Sequence, residues 1–152
     1  MKVGVVIAIS DRLTQMVMEG IPVNERIMRL RIKHSLSVIS VVSVYATTGM
    51  SSPSDKDAFY AQLEFVLDGC YRGDTLLVMG DVNASTGTDR VGYETFISPQ
   101  GSGIRGENGT RLLDLAKGRG LRVAGTWYQR PERHRWTWYS NTGVVVALPS
   151  SC

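Results

Sequence analysis

Residues 76–84 read Leu76-Leu77-Val78-Met79-Gly80-Asp81-Val82-Asn83-Ala84. Four apolar residues, enough for a short buried strand, run into a glycine, and Asp81 and Asn83 follow at alternate positions. Alternate strand positions face the same side, so an acid and an amide emerge together at the carboxyl end of the strand, where α/β sheets tend to hold ligands. There a carboxylate accepts a proton from an attacking water, and an amide donates to a phosphate oxygen. An Asx turn closing the strand is the competing reading of the same residues.

The flanking sequence supplies a sheet for that strand. Residues 36–46 are rich in Val and Ile and predict a central strand. Leu30 and Ile32 alternate with Arg29, Arg31 and Lys33, which predicts a half-buried strand over 28–33. Residues 3–9 are apolar on both parities, the pattern of a strand buried on both faces. Phe59, Leu63, Val66, Leu67 and Cys70 recur at helical spacing, so residues 55–69 predict an amphipathic helix, with Ser54 as N-cap and Asp57 three positions on. Residues 75–79 carry the strand before Gly80. Residues 84–109 form a Gly-rich excursion too long for a simple connector. A second helix is predicted over 111–118, and strands over 121–126, 135–140 and 144–148. Strands interleaved with helices define an α/β chain with mixed sheets, read as one domain over 1–152.

Composition narrows the function classes. The 152 residues are 43% hydrophobic and 20% charged, and no apolar run exceeds five residues, against about 18 for a membrane span. Cys70 and Cys152 have no metal-ligand spacing and imply neither a zinc site nor a disulfide framework, so free thiols and a reducing compartment are expected. Lys2 and the apolar stretch after it imitate a signal peptide, but Ser10, Asp11 and Arg12 follow without a cleavage site. The expected location is intracellular, nuclear or cytoplasmic, with no membrane partner. The net charge of +3 is uneven: +3 over 1–50, −5 over 51–100 and +5 over 101–152. The basic third suits a polyanion and the acidic middle tolerates a cation, although a solvated mixed face accounts for both. Trp127, Trp136 and Trp138 interleave with Arg122, Arg130, Arg133 and Arg135. Such a set can stack bases and neutralise phosphates, but alternation more often puts the tryptophans in the core and the arginines in solvent, and that is the expectation here. His134 is expected to be solvated or phosphate-facing. Residues 101–106 match G-x-G-x-x-G without the strand that a dinucleotide site requires before it.

Gly80-Asp81-Val82-Asn83-Ala84 resembles the G-D-x-N-A motif of the endonuclease/exonuclease/phosphatase superfamily of divalent-metal phosphodiesterases. Three further segments agree in order. Val44-Tyr45-Ala46 resembles the family strand ending in Y-A-P, with Thr47 in place of Pro; Asn108-Gly109 followed by Arg111-Leu112-Leu113 resembles an N-G-x-x-L helix start; Trp136-Thr137-Trp138 resembles the late y-T-W strand. With residues 22–28 included, the resemblance covers about 3–146 and runs most strongly to LINE-retrotransposon-type endonuclease domains and their craniofacial development protein 2-like relatives.

The resemblance implies a four-layer α/β sandwich, two mixed sheets flanked by helices, of which this chain would hold part. It implies Mg²⁺-dependent hydrolysis of a phosphodiester in DNA, by a nicking endonuclease of retrotransposon origin. Asp81 is similar to the residue that positions or deprotonates the nucleophilic water, Asn83 to the phosphate-orienting amide, Tyr45 to the phenol at the scissile phosphate, and Thr137 to a supporting hydroxyl. Arg130, Arg133 and Arg135 are the candidate DNA contacts. The family's metal-binding Glu and its terminal Asp and His have no counterpart here. The chain therefore looks like an incomplete domain lacking both ends, with impaired or no activity unless missing parts act in trans. The alternatives are a catalytically dead nucleic-acid-binding remnant and a non-functional fragment.

Overall fold

Three strands make an antiparallel meander: β1 (Val17–Pro22), β2 (Ile27–Lys33) and β3 (Val38–Tyr45). The computed structural model describes residues 4–129, 136–138 and 148–149, the last two stretches as backbone. Side-chain chemistry sets the first turn: Asn24 Oδ1 accepts from the backbone N–H groups of Arg26 and Ile27, both at 2.8 Å, an Asx turn. The second closes where the His34 N–H donates to Ser37 O at 2.7 Å. β4 (Thr75–Asp81) then adds parallel to β3, giving the order β1-β2-β3-β4. A parallel neighbour needs a long crossover, which α2 (Pro53–Asp68) supplies.

The chain divides into two compact units, Met1–Ala46 with Pro53–Asp81, and Thr47–Ser52 with Val82–Cys152. In the first, the register places Ile27, Arg29, Arg31, Ser40, Val42 and Val44 on one sheet face. Ile27 and Val42 are fully buried, as are Phe59, Leu63 and Leu67 on α2 to within a few per cent. Arg29 ties this face to the end of α2 by donating to Gly69 O at 2.8 Å. The second unit centres on Ile97 and Leu113, both fully buried. Its helix α3 (Glu107–Arg119) ends at Gly120 in the left-handed conformation, and Leu121 N–H closes back on Ala116 O at 2.8 Å, a Schellman-type stop. Acid in its first turn and Lys117 and Arg119 in its last suit the helix dipole. Trp136–Trp138 (β5) pairs antiparallel with Leu148–Pro149 (β6). The described residues thus hold a four-stranded mixed sheet, a two-stranded antiparallel sheet and three α-helices. None of these helices is long and apolar enough to cross a membrane.

Several expectations need correction. The strand expected over 3–9 is not one among the described residues: positions 4–10 pair with no strand, and Val6 is 82% exposed. Apolar residues on both parities satisfy a strand pattern without supplying a partner. The short helix α1 (Asp11–Thr14) and β1 were not anticipated, because Gly20 and Pro22 mask a strand that only its pairing with β2 reveals. α2 starts at Pro53, not after a Ser54 cap, since proline's fixed φ suits a first helical position. Among the described residues β4 is the last strand of its sheet, with Leu77 and Met79 each 47% exposed, not a buried one. The strand expected over 121–126 is replaced by a 3-10 turn, Ala124–Trp127. There the Thr126 N–H and hydroxyl both donate to Val123 O, at 3.0 and 2.8 Å, and curl the chain. Of the strand expected over 144–148, residues 144–147 lie outside the described residues, as do 135, 139 and 140 of the one before it.

Candidate active site

In the first unit the parallel register sets Tyr45 beside Asp81 at the carboxyl ends of β3 and β4. Ala46 N–H donates to Asp81 O at 2.8 Å and locks the two strand ends together. Gly80 makes this approach possible. Its φ is +127°, and a Cβ there would lie 2.0 Å from Val44 O. Tyr45 is half-buried and Asp81 exposed. Arg26 secures Tyr45 twice: its Nη1 donates to Tyr45 O at 3.2 Å and its guanidinium lies 5.5 Å from the ring centroid, a cation–π contact. The phenol, the carboxylate and a guanidinium thus belong to one strand terminus. Sequence reading passed over Arg26, whose contact with Tyr45 spans 19 positions and follows only from the pairing of Ile27 with Val44.

The second unit carries Asn83. Strand alternation ends with β4 at Asp81, and Asn83 sits beyond it at φ +46°, the one positive φ at a non-glycine among the described residues. The same-side relation expected of Asp81 and Asn83 therefore has no strand to rest on. Asn83 is 8% exposed. Its carbonyl accepts from Asn108 Nδ2 at 3.0 Å, and the same amide nitrogen donates to Thr47 O at 2.9 Å. Asn108 is 5% exposed at the start of α3, so one buried amide laces two loops. Gly109 follows because a Cβ there would meet Ser85 O at 2.0 Å. The Asn-Gly pair is thus explained by packing: one side chain bridges and the next must be absent. Thr47, which stands where the resembled family has Pro, buries its hydroxyl with no hydrogen-bond partner among the described residues.

Thr137 rides on β5, and its side chain is outside the described structure. Arg130, Arg133, His134 and Arg135 lie outside the described residues altogether. Trp127 is 40% exposed, which corrects the expectation that it sits in the core.

Mg²⁺ takes an octahedron of oxygens and is usually anchored by one or two carboxylates. Among the described residues no group of three His, Cys, Asp or Glu side chains comes together. Among the described residues the Tyr45–Asp81 terminus therefore offers no such group and does not fit a resident Mg²⁺ held by protein ligands alone. An acid held in its charged form stands elsewhere, just before the first residue of β4. Arg31 donates to Asp74 from Nε at 2.6 Å and from Nη2 at 2.9 Å, and the Ser40 hydroxyl adds a bond at 2.7 Å. The Arg31 hydrogen bonds, then the Ser40 bond, hold the Asp74 carboxyl below the usual carboxylate range. The Arg31 guanidinium also lies 3.8 Å from the centroid of the Tyr71 ring. This cluster ties β2, β3 and the α2–β4 turn together, a structural task.

What the described residues define is a mixed α/β chain with a tyrosine–aspartate pair at the end of two parallel strands. The chain is similar to craniofacial development protein 2 of Tragulus javanicus, 29% identical over 140 residues, and of Bos taurus, 27% identical over 140 residues. Each match covers 92% of this chain but 24% and 23% of the two relatives, so the chain spans about a quarter of the length of the curated relatives it matches. No family model matches it.

Proposed function

We propose that the chain derives from a divalent-metal phosphodiesterase of the endonuclease/exonuclease/phosphatase type, a DNA-nicking endonuclease of LINE-retrotransposon origin, and keeps part of its active-site wall with little or no hydrolysis of its own. The observation that carries this reading is the register of Tyr45 with Asp81, fixed by the close approach of Gly80 to Val44. In this reading Asp81 accepts a proton from water, Asn83 donates to a phosphate oxygen and the Tyr45 hydroxyl bonds the phosphate region. The four-stranded sheet with α2 corresponds to one sheet-and-helix half of the four-layer sandwich. In this reading the low activity goes with the donor set: among the described residues no group of three His, Cys, Asp or Glu side chains comes together, whereas a hard cation takes several oxygen ligands. A nuclear or cytosolic setting goes with a DNA substrate.

The test is a supercoiled-plasmid nicking assay on the purified chain, in Mg²⁺ and in EDTA, beside Asp81→Ala. The expected result is the same background level in all arms. Nicking that needs Mg²⁺ and vanishes in Asp81→Ala overturns the loss of activity, and nicking that needs Mg²⁺ but survives Asp81→Ala overturns the assignment of Asp81.

A further inference from the structure

The end of α3 and the 3-10 turn after it present a surface that the phosphodiesterase reading does not use. From Leu115 to Gln129 the sequence holds Lys117, Arg119 and Arg122 and no acidic residue. Trp127 is 40% exposed and Tyr128 65% exposed, two adjacent rings open to water. The turn just before them is tied down: Val123 N–H donates to Phe96 O at 2.9 Å, and Ser98 N–H to Thr126 Oγ1 at 3.0 Å. The Arg122 guanidinium lies 5.2 Å from the centroid of the Trp127 ring. A solvated charged face accounts for Arg122 but not for two neighbouring aromatic rings exposed next to it. We infer that this surface binds single-stranded nucleic acid, with unpaired bases stacking on Trp127 and Tyr128 while Arg122 neutralises a phosphate. Exposed rings interleaved with cations are what stacking on a single strand needs, and in a duplex those base faces are already occupied by neighbours. Binding of this kind needs neither Mg²⁺ nor Asp81, so it is independent of hydrolysis.

The test uses the full chain in EDTA at low salt and a fluorescein-labelled oligothymidylate of about 16 nucleotides, the upper end of known site sizes, read by anisotropy. Trp127→Ala should weaken binding about tenfold, within the range for loss of one stacked base, and Trp127→Phe should restore most of it. Arg122→Ala should weaken binding and flatten its salt dependence. Heparin, a polyanion without bases, should bind Trp127→Ala as it binds the parent. Circular dichroism melts confirm that the variants are folded. The inference falls if the oligonucleotide does not bind saturably, if Trp127→Ala binds it as the parent does, or if heparin and oligonucleotide weaken together. It falls equally if a duplex of the same length competes better than the single strand, or if polyglutamate displaces the oligonucleotide as well as heparin does, which would point to an acidic protein partner. Nicking results leave these outcomes unchanged, and the reverse holds as well.

Discussion

Replacing Gly80 with alanine drives a methyl group into the backbone of the neighbouring strand. The added Cβ would lie 2.0 Å from Val44 O, 2.9 Å from Val44 N and 3.0 Å from Val44 C, while Cβ contacts below 3.0 Å essentially never occur. The strands must therefore separate by about 1 Å at that point, against a normal spacing of about 4.8 Å. A φ of +127° adds a second penalty, since that region is essentially confined to glycine and costs roughly 1 to 3 kcal/mol for other residues. Overpacking contributes a similar amount, roughly 1 to 3 kcal/mol. Together the expected destabilisation is about 4 kcal/mol, which with a urea slope of about 2 kcal/mol per molar lowers the midpoint by about 2 M. Urea titration followed by circular dichroism reads it directly. Gly118→Ala is the matched control: this glycine lies inside α3 with nothing within 4 Å of its built Cβ, so alanine there should add about 0.5 to 1 kcal/mol through helix propensity. If Gly80→Ala unfolds within about 1 kcal/mol of the parent, β4 does not lie against Val44 and the pairing of Tyr45 with Asp81 loses its basis.

Other outcomes follow from the same contacts. Because the Asp74 carboxyl is held below its ordinary range, its contribution is present above the unfolded-state value and is lost as pH falls through the lower folded value. The loss starts near the ordinary Asp value of about 3.9 and continues below it. Melting temperatures of the parent should fall more steeply over that acid range than those of Asp74→Asn, and parallel curves would exclude the clamp. Asn108→Ala removes two buried amide bonds and should destabilise by about 2 kcal/mol; Asn108→Asp, which lacks the donor, should not rescue it in urea titration. Thr47→Val removes a buried hydroxyl with no partner among the described residues and should raise stability by about 1 kcal/mol. A lowered melting temperature would show that the hydroxyl is engaged.

Strands β2 and β3 and helix α2 were legible from local composition and spacing, although Arg29 and Arg31, polar partners in the alternation of β2, keep only 14% and 18% of their side chains exposed. The resemblance put Tyr45 and Asp81 in one site, but no spacing in the sequence sets them side by side; the parallel register of β3 and β4 does. Position within a sheet was not legible either. The apolar run 76–79 has the composition of a buried strand, yet β4 ends the sheet among the described residues and exposes Leu77 and Met79. At 121–126 the apolar residues Leu121 and Val123 suggest a strand, but Thr126 bonding back to Val123 decides for a turn. The contact of Arg26 and the bridging role of Asn108, read only as part of a helix start, were not legible for a different reason. Their partners lie 19 and 61 residues away, and no spacing rule connects positions that only the folded chain brings together.

The order in which the sheet is strung has a kinetic consequence. β1, β2 and β3 follow one another through short turns, so their ladders close from local encounters, whereas β4 must wait for the whole α2 crossover before it can dock. Among the described residues it then holds one neighbour where β2 and β3 hold two. Strands of this kind belong to the low-stability end of a protein's opening events. Detachment of β4 alone carries Asp81 away from Tyr45 while the meander stays intact. In amide exchange, the Ala46 N–H, which is held by the Asp81 carbonyl, should lose protection well before the amides shared by β2 and β3. The acid–phenol pair would then exist as a fluctuating population, set by how often one strand lets go.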